Sequence, residues 1–160
     1  MQTLFAYNWM VREEWYKWCE EIPEKELLQV RTGGVGGILH TLFHIADVEW
    51  SWIRGLEGKP DFQENFEGYR SLEKVKRLDE AFKPEVKKFV EAWDERTMNN
   101  KVLANEWPDG SVENFTWGEV MRHVIAHEIH HIGQLSVWAR ETGRKPVSAN
   151  VIRRGLIAPR

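Results

Sequence analysis

Residues 123–135 read His-Val-Ile-Ala-His-Glu-Ile-His-His-Ile-Gly-Gln-Leu, a run that holds four of the six histidines in the chain. Burying an imidazole among Val, Ile and Leu without a partner is costly, so the rings must have something to hold. At about 100° per residue on a helix, His127 and His131 share one apolar stripe with Val120, Val124, Leu135 and Trp138. They sit one turn apart, the spacing at which two imidazoles grip one ion from one helix face. His123 and His130 lie on a flank of the stripe. His123 and His131 are separated by roughly 12 Å of helical rise, too far for both to reach an ion whose bonds to nitrogen are near 2.1 Å. A third ligand must come from elsewhere, and the remaining histidines are His40 and His44. On their own helix, His44 shares a face with Gly37, Thr41 and Val48 and is the more central of the two. His44, His127 and His131 would supply three neutral nitrogens and leave a fourth position open for water or substrate. That is the pattern of a catalytic rather than a structural site. Three imidazoles suit Zn, Ni, Cu or Fe(II) alike.

The same run contains His127-Glu128-x-x-His131, the short helix signature of zinc metalloproteases, in which Glu128 would be a general base. The extended form of that signature needs a glycine and a third histidine at fixed places downstream. Here Gly133 comes one residue early and no histidine follows His131. Peptidase activity is therefore the weaker reading, and Glu128 is kept as a proton-transfer candidate for another reaction. His40, Asp47, His123, His130 and Gln134 are candidates for orienting a ligand imidazole through its second nitrogen. Cys19 reads as a small buried hydrophobe rather than a ligand.

Four segments with helical periodicity must position these side chains. They run from about Thr3 to Cys19, Val35 to Leu56, Ser71 to Arg96 and Trp117 to Thr142. Pro84 should kink or split the third. Thr116 with Glu119 forms a capping box for the fourth, and Gly143 ends it. Arg31-Thr-Gly-Gly-Val-Gly-Gly37 is a loop leading into the second helix. The alternation around Pro108-Asp-Gly110 is hairpin chemistry, and residues 148–155 read as one more short helix. The expected architecture is all-α: an antiparallel four-helix bundle, with an up-down-down-up order, in one domain over residues 1–160. A short hairpin-like insertion falls between the third and fourth helices.

The bulk composition excludes several function classes. The net charge is −3 and no basic block is present, which argues against nucleic-acid binding. No stretch approaches the roughly 18 apolar residues of a membrane span. The single cysteine forbids an internal disulfide, and the first residues are aromatic and charged rather than leader-like. A reducing cytoplasm is the expected compartment. Nine tryptophans are expected at helix contacts or around a cavity.

The segments Ile38-Leu-His-Thr-Leu-Phe-His-Ile-Ala-Asp-Val-Glu-Trp-Ser-Trp-Ile53 and Val120-Met-Arg-His-Val-Ile-Ala-His-Glu-Ile-His-His-Ile-Gly-Gln-Leu135, with Gly143-x-x-Pro146 beyond, resemble the DinB/YfiT-like family of metal-dependent proteins. The likeness runs from the first helix to the fourth and is looser at the hairpin. It implies a four-helix bundle, commonly a homodimer, with His44, His127 and His131 at the metal-ligand positions and nickel or zinc as the ion. Relatives include S-transferases and an isomerase that use low-molecular-weight thiols, and others that resemble hydrolases. The leading expectation is thus a metal-dependent thiol S-transferase or hydrolase acting on a small molecule. The alternatives are a metal-binding stress-response protein without catalysis, and a structural dimer whose histidines are hydrogen-bonded core residues.

Overall fold

The computed structural model describes residues 1–107 and 109–157. Four long helices carry the structure: α1 (Gln2–Glu20), α3 (Ile38–Leu56), α4 (Leu72–Glu91) and α6 (Trp117–Glu141). Two single-turn helices, α2 (Glu24–Leu27) and α5 (Glu95–Met98), and a 3₁₀ turn at Phe66–Tyr69 lie between them. Each long helix buries one stripe at three- and four-residue spacing. On α3 the stripe is Ile38, Leu42, Ile45, Glu49, Ile53 and Leu56; on α6 it includes Val120, Val124, Glu128, His131, Leu135 and Trp138. α3 packs on α4 and α6, and α1 packs on the same two helices.

The core forms two apolar clusters. One takes Phe5 of α1, Ile53 of α3, Val86 and Val90 of α4 and Val120 and Val124 of α6. The other takes Val11 and Trp15, Leu39 and Leu42, Val75 and Leu78, and Leu135 and Trp138. The first cluster therefore meets the N-terminal part of α1 and α6 and the C-terminal part of α3 and α4. α1 and α6 run one way, α3 and α4 the other, the up-down-down-up order expected. The parallel pair α3 and α4 is joined by the crossover through residues 57–71.

Pro84 sits inside α4 and does not split it. It removes one N–H from the helix, and the carbonyl left without a donor belongs to the exposed Glu80, where solvent can reach it. The helix ends at Glu91, short of the expected Arg96, and α5 opens after it with the Asp94 side chain capping the Arg96 N–H. The capping box of α6 is formed as expected, with Thr116 Oγ1 accepting from the Glu119 N–H at 3.2 Å and Glu119 accepting from the Thr116 N–H at 2.7 Å.

The hairpin is a real two-stranded antiparallel sheet, β1 (Val102–Glu106) and β2 (Val112–Thr116), in register from Val102 opposite Thr116 to Glu106 opposite Val112. The fold is therefore mostly helical with a small sheet rather than strictly all-α. Of the expected Pro-Asp-Gly turn, Pro108 lies outside the described residues; Gly110 has φ +81°, the left-handed region a hairpin turn requires. Residues 148–155, expected as a short helix, are irregular, with a turn at 152–153. They are tied to α1 by polar contacts, with Arg154 pairing with Glu14 and the Tyr7 hydroxyl donating to the Ala149 carbonyl at 2.7 Å.

Candidate metal centre

His44 projects from α3, and His127 and His131 from the facing side of α6. Their Nε2 atoms converge: His127 Nε2 lies 3.1 Å from His44 Nε2 and 3.1 Å from His131 Nε2. One ligand atom from each ring lies within 4.8 Å of the others. The rings of His44 and His131 stand perpendicular, so they do not stack. His131 is buried, while His44 and His127 are half-buried. Burial, and then the positive charge each ring would impose on the next, push the pKa of His44 down to about 4 and that of His127 down to about 3. Burial lowers His131 as well, partly offset by its bond to Gln134. At neutral pH all three rings are uncharged, the form that ligates metals.

The protons on these rings are set by a neighbour. Gln134 Oε1 lies 2.8 Å from His131 Nδ1 and can only accept, so Nδ1 carries the hydrogen and Nε2 a lone pair. Gln134 Nε2 in turn donates to His130 Nε2 at 2.9 Å. His131 Nε2 can therefore accept a proton bond from His127 Nε2–H. A protonated His127 Nε2 then has no lone pair left to accept from His44. No assignment of ring hydrogens turns both 3.1 Å contacts into linear hydrogen bonds. A shared cation satisfies all three nitrogens at once, and this donor set fits a divalent transition metal.

The glycine loop supports this arrangement from outside. A Cβ built on Gly34 would lie 2.3 Å from Gln134 Oε1, and Gly34 has φ +52°. Glycine is needed here both for its backbone conformation and for the close approach of Gln134. Trp138 Nε1 donates to the Thr32 carbonyl at 3.2 Å, which fastens the same loop to α6.

The remaining sequence candidates are spread around the cluster. His40 stacks on Phe66 at 4.3 Å, within 6° of parallel. His123 is exposed, with its ring 5.8 Å from Trp52 and 5.8 Å from His127. Asp47 accepts from Ser51 Oγ at 3.4 Å. Glu128 faces the core, one residue round the helix from His127. Both its oxygens are engaged by Arg12, Oε1 at 3.0 Å from Nε and Oε2 at 2.6 Å from Nη2.

That contact belongs to a feature the sequence reading missed. Arg12 on α1 also reaches Glu49 Oε1 on α3 at 3.1 Å and Asp79 Oδ1 on α4 at 2.6 Å. One charged side chain from each long helix meets between the two apolar clusters, and all four are buried. Burial works against the charge of Arg12, but Asp79, Glu128 and Glu49 together hold its pKa well above the ordinary value. Burial pushes the Glu128 carboxyl well above the usual carboxylate range; Arg12 opposes the shift, while Glu49 and Asp79 add to it. The signal was present in the sequence, because Arg12, Glu49 and Asp79 each fall on a core stripe where an apolar residue belongs.

Comparison with known proteins places the chain in a family. The sequence profile of the DinB family matches residues 1–156. An uncharacterized protein of Bacillus subtilis (strain 168), YizA, is 46% identical over 156 residues, covering 98% of this chain and 96% of its own. Protein DinB of the same organism is 20% identical over 145 residues, covering 88% of this chain and 84% of its own. No helix among the described residues is long and apolar enough to cross a membrane.

Proposed function

Because the chain belongs to the DinB family, we propose that it is a metal-dependent enzyme. In this reading His44, His127 and His131 hold one zinc or nickel ion, and the reaction joins a low-molecular-weight thiol to a small electrophile. The observation that carries the reading is the convergence of three neutral Nε2 atoms from two helices at contacts of 3.1 Å. A bound ion supplies Lewis acidity, which lowers the pKa of a thiol or water taken at its open position. Hydrolysis is the variant of the same chemistry in which water replaces the thiol.

The protein's own groups have separable tasks. Gln134 fixes the proton of His131 on Nδ1 and so keeps Nε2 free to ligate. His44 and His127 are only half-buried, so in this reading a small molecule reaches the ion past their rings. Glu128 anchors α6 to Arg12 in this reading and leaves proton transfer to solvent-facing groups. The packing of α1, α3, α4 and α6 around two clusters is read as the four-helix bundle in which such sites are built from inward-facing side chains.

Metal analysis of protein purified without an affinity tag tests the site. About one ion per chain is expected, lost on His131→Ala. Turnover of the zinc and nickel forms with small thiols and monochlorobimane tests the reaction. Protein that retains no ion would overturn the metal reading. Ion-loaded protein inert toward every thiol and electrophile pair would overturn the transferase reading.

A further inference from the structure

A cavity of about 360 Å³ opens along α3 one turn beyond His44. Its walls include Asp47, Ser51 and Trp52 of α3, Asp61 of the crossover, and Asn105 and Trp107 of the hairpin. It lies on the same side of α3 as His44, and its wall residue Trp52 is 5.8 Å from His123, whose ring is 5.8 Å from that of His127.

The two carboxylates of this cavity are without ion-pair partners among the described residues. Among the described residues, neither Asp47 nor Asp61 has a cationic side chain within ion-pair distance, while Lys59, which also lines the cavity, is bound to Glu57 at 2.7 Å and Glu85 at 2.6 Å. Asp47 accepts only the long bond from Ser51, and Asp61 accepts the backbone N–H of Phe62. The two carboxylates are close enough that, after burial, Asp61 is the main group raising the pKa of Asp47. The aromatic walls are braced from behind: Trp107 Nε1 donates to Glu113 at 2.9 Å, and Trp52 meets Phe115 edge-on at 6.0 Å. Two carboxylates without a cationic partner and two indoles thus line one hollow of small-molecule size, the groups that receive an organic cation.

We propose that this cavity binds a protonated amine carried by the small molecule whose reacting end lies at the three-histidine cluster. The proposal rests on the metal reading for the position of the reacting end, and on the cavity alone for the amine. A rise of one helical turn, about 5.4 Å, separates His44 from the start of the cavity. Amine and reacting group are thus a few bonds apart in the same molecule.

The two parts are tested separately. Benzylamine and benzyl alcohol are titrated calorimetrically into ion-free protein at pH 7.5. Benzylamine should bind at least ten-fold more tightly. That preference should vanish in Asp47→Asn/Asp61→Asn and persist in His131→Ala. Equal binding of the two probes, or a preference that survives the double variant, overturns the proposal. Asp61 is exposed, so Asp61→Asn alone gives a folded variant in which the preference should fall at least three-fold. Nickel-loaded protein is then titrated with cysteamine and 2-mercaptoethanol, read by the thiolate-to-nickel absorption band. Cysteamine should saturate at a ten-fold lower concentration, and only with both carboxylates present. Matching midpoints would overturn the link between amine and metal. Amine selectivity in protein that takes up no ion would overturn the metal reading and leave the cavity assigned.

Discussion

His44 Nε2 and His127 Nε2 face each other across the α3–α6 seam at 3.1 Å, although 83 residues separate them in sequence. Two nitrogens bound tetrahedrally to one zinc, with bonds near 2.1 Å, stand about 3.4 Å apart. The observed separation is close to the one that a shared ion imposes. His44→Ala and His131→Ala should each abolish stoichiometric ion binding. By contrast, His123→Ala should retain about one ion per chain, because that ring lies on Trp52 and outside the converging group. Elemental analysis of the three variants is the check.

Gln134 determines which nitrogen of His131 is available. Gln134→Leu removes the acceptor for Nδ1–H and frees the ring to place its proton on Nε2. Loss of such a partner weakens a metal site by about 10–100-fold. Competition against a chromophoric chelator would show that loss, with melting of the ion-free protein changed little.

Gly34→Ala should mimic that variant from another segment of the chain. The added methyl meets the flexible end of Gln134 rather than backbone, so it displaces the amide. Left-handed backbone at a residue with a Cβ costs about 1–2 kcal/mol. A modest drop in Tm together with weakened ion binding is expected. A drop in Tm with unchanged ion affinity would mean that Gln134 relaxes without releasing His131.

Arg12→Met leaves Glu49, Asp79 and Glu128 in the interior with no counter-charge. Breaking a buried ion cluster by removing one partner costs about 3–5 kcal/mol. For a chain of this size that is a Tm loss of about 10 °C, measurable by thermal unfolding. Replacing all four residues with apolar side chains of similar volume should recover most of it.

Asp47 gives a pH signature of opposite sign to most carboxylates. Burial, and then Asp61, push its folded pKa up to about 6 from 3.8. Between those values the folded state binds more protons than the unfolded chain, so the contribution of Asp47 to stability falls as pH rises. Asp47→Asn removes that loss. Its Tm relative to the unmodified protein should increase from pH 4 to pH 7 and level off above. A Tm difference that stays constant across this range would contradict the shift.

How far the sequence could be read depended on whether the signal was local. The long helices showed because each repeats its apolar residues at helical spacing. The capping box at Thr116 and Glu119 showed because three-residue spacing is enough to specify it. The convergence of His44 on His127 and His131 followed from face arithmetic on two helices, since only central positions can meet across a seam. What stayed hidden was pairing between distant segments. Arg12 sits on a core stripe, but its partners Glu49, Asp79 and Glu128 come from three other helices, and Gly34 reads as a loop glycine until Gln134 lies against it. The tail at 148–155 read as one more short helix. Its contacts with α1 instead draw on Arg154, Tyr7 and Glu14, a competition that local propensity does not register.

The charged knot at Arg12 also bears on how such a chain can drift over evolutionary time. Each of its four members comes from a different helix, so removing the charge of one leaves an imbalance in the interior that three other helices share. Exchange of the whole set for apolar residues avoids the stability loss that a single replacement brings. Because Glu128 is the chain neighbour of His127, the same knot holds the histidine-bearing face of α6 against α1, α3 and α4.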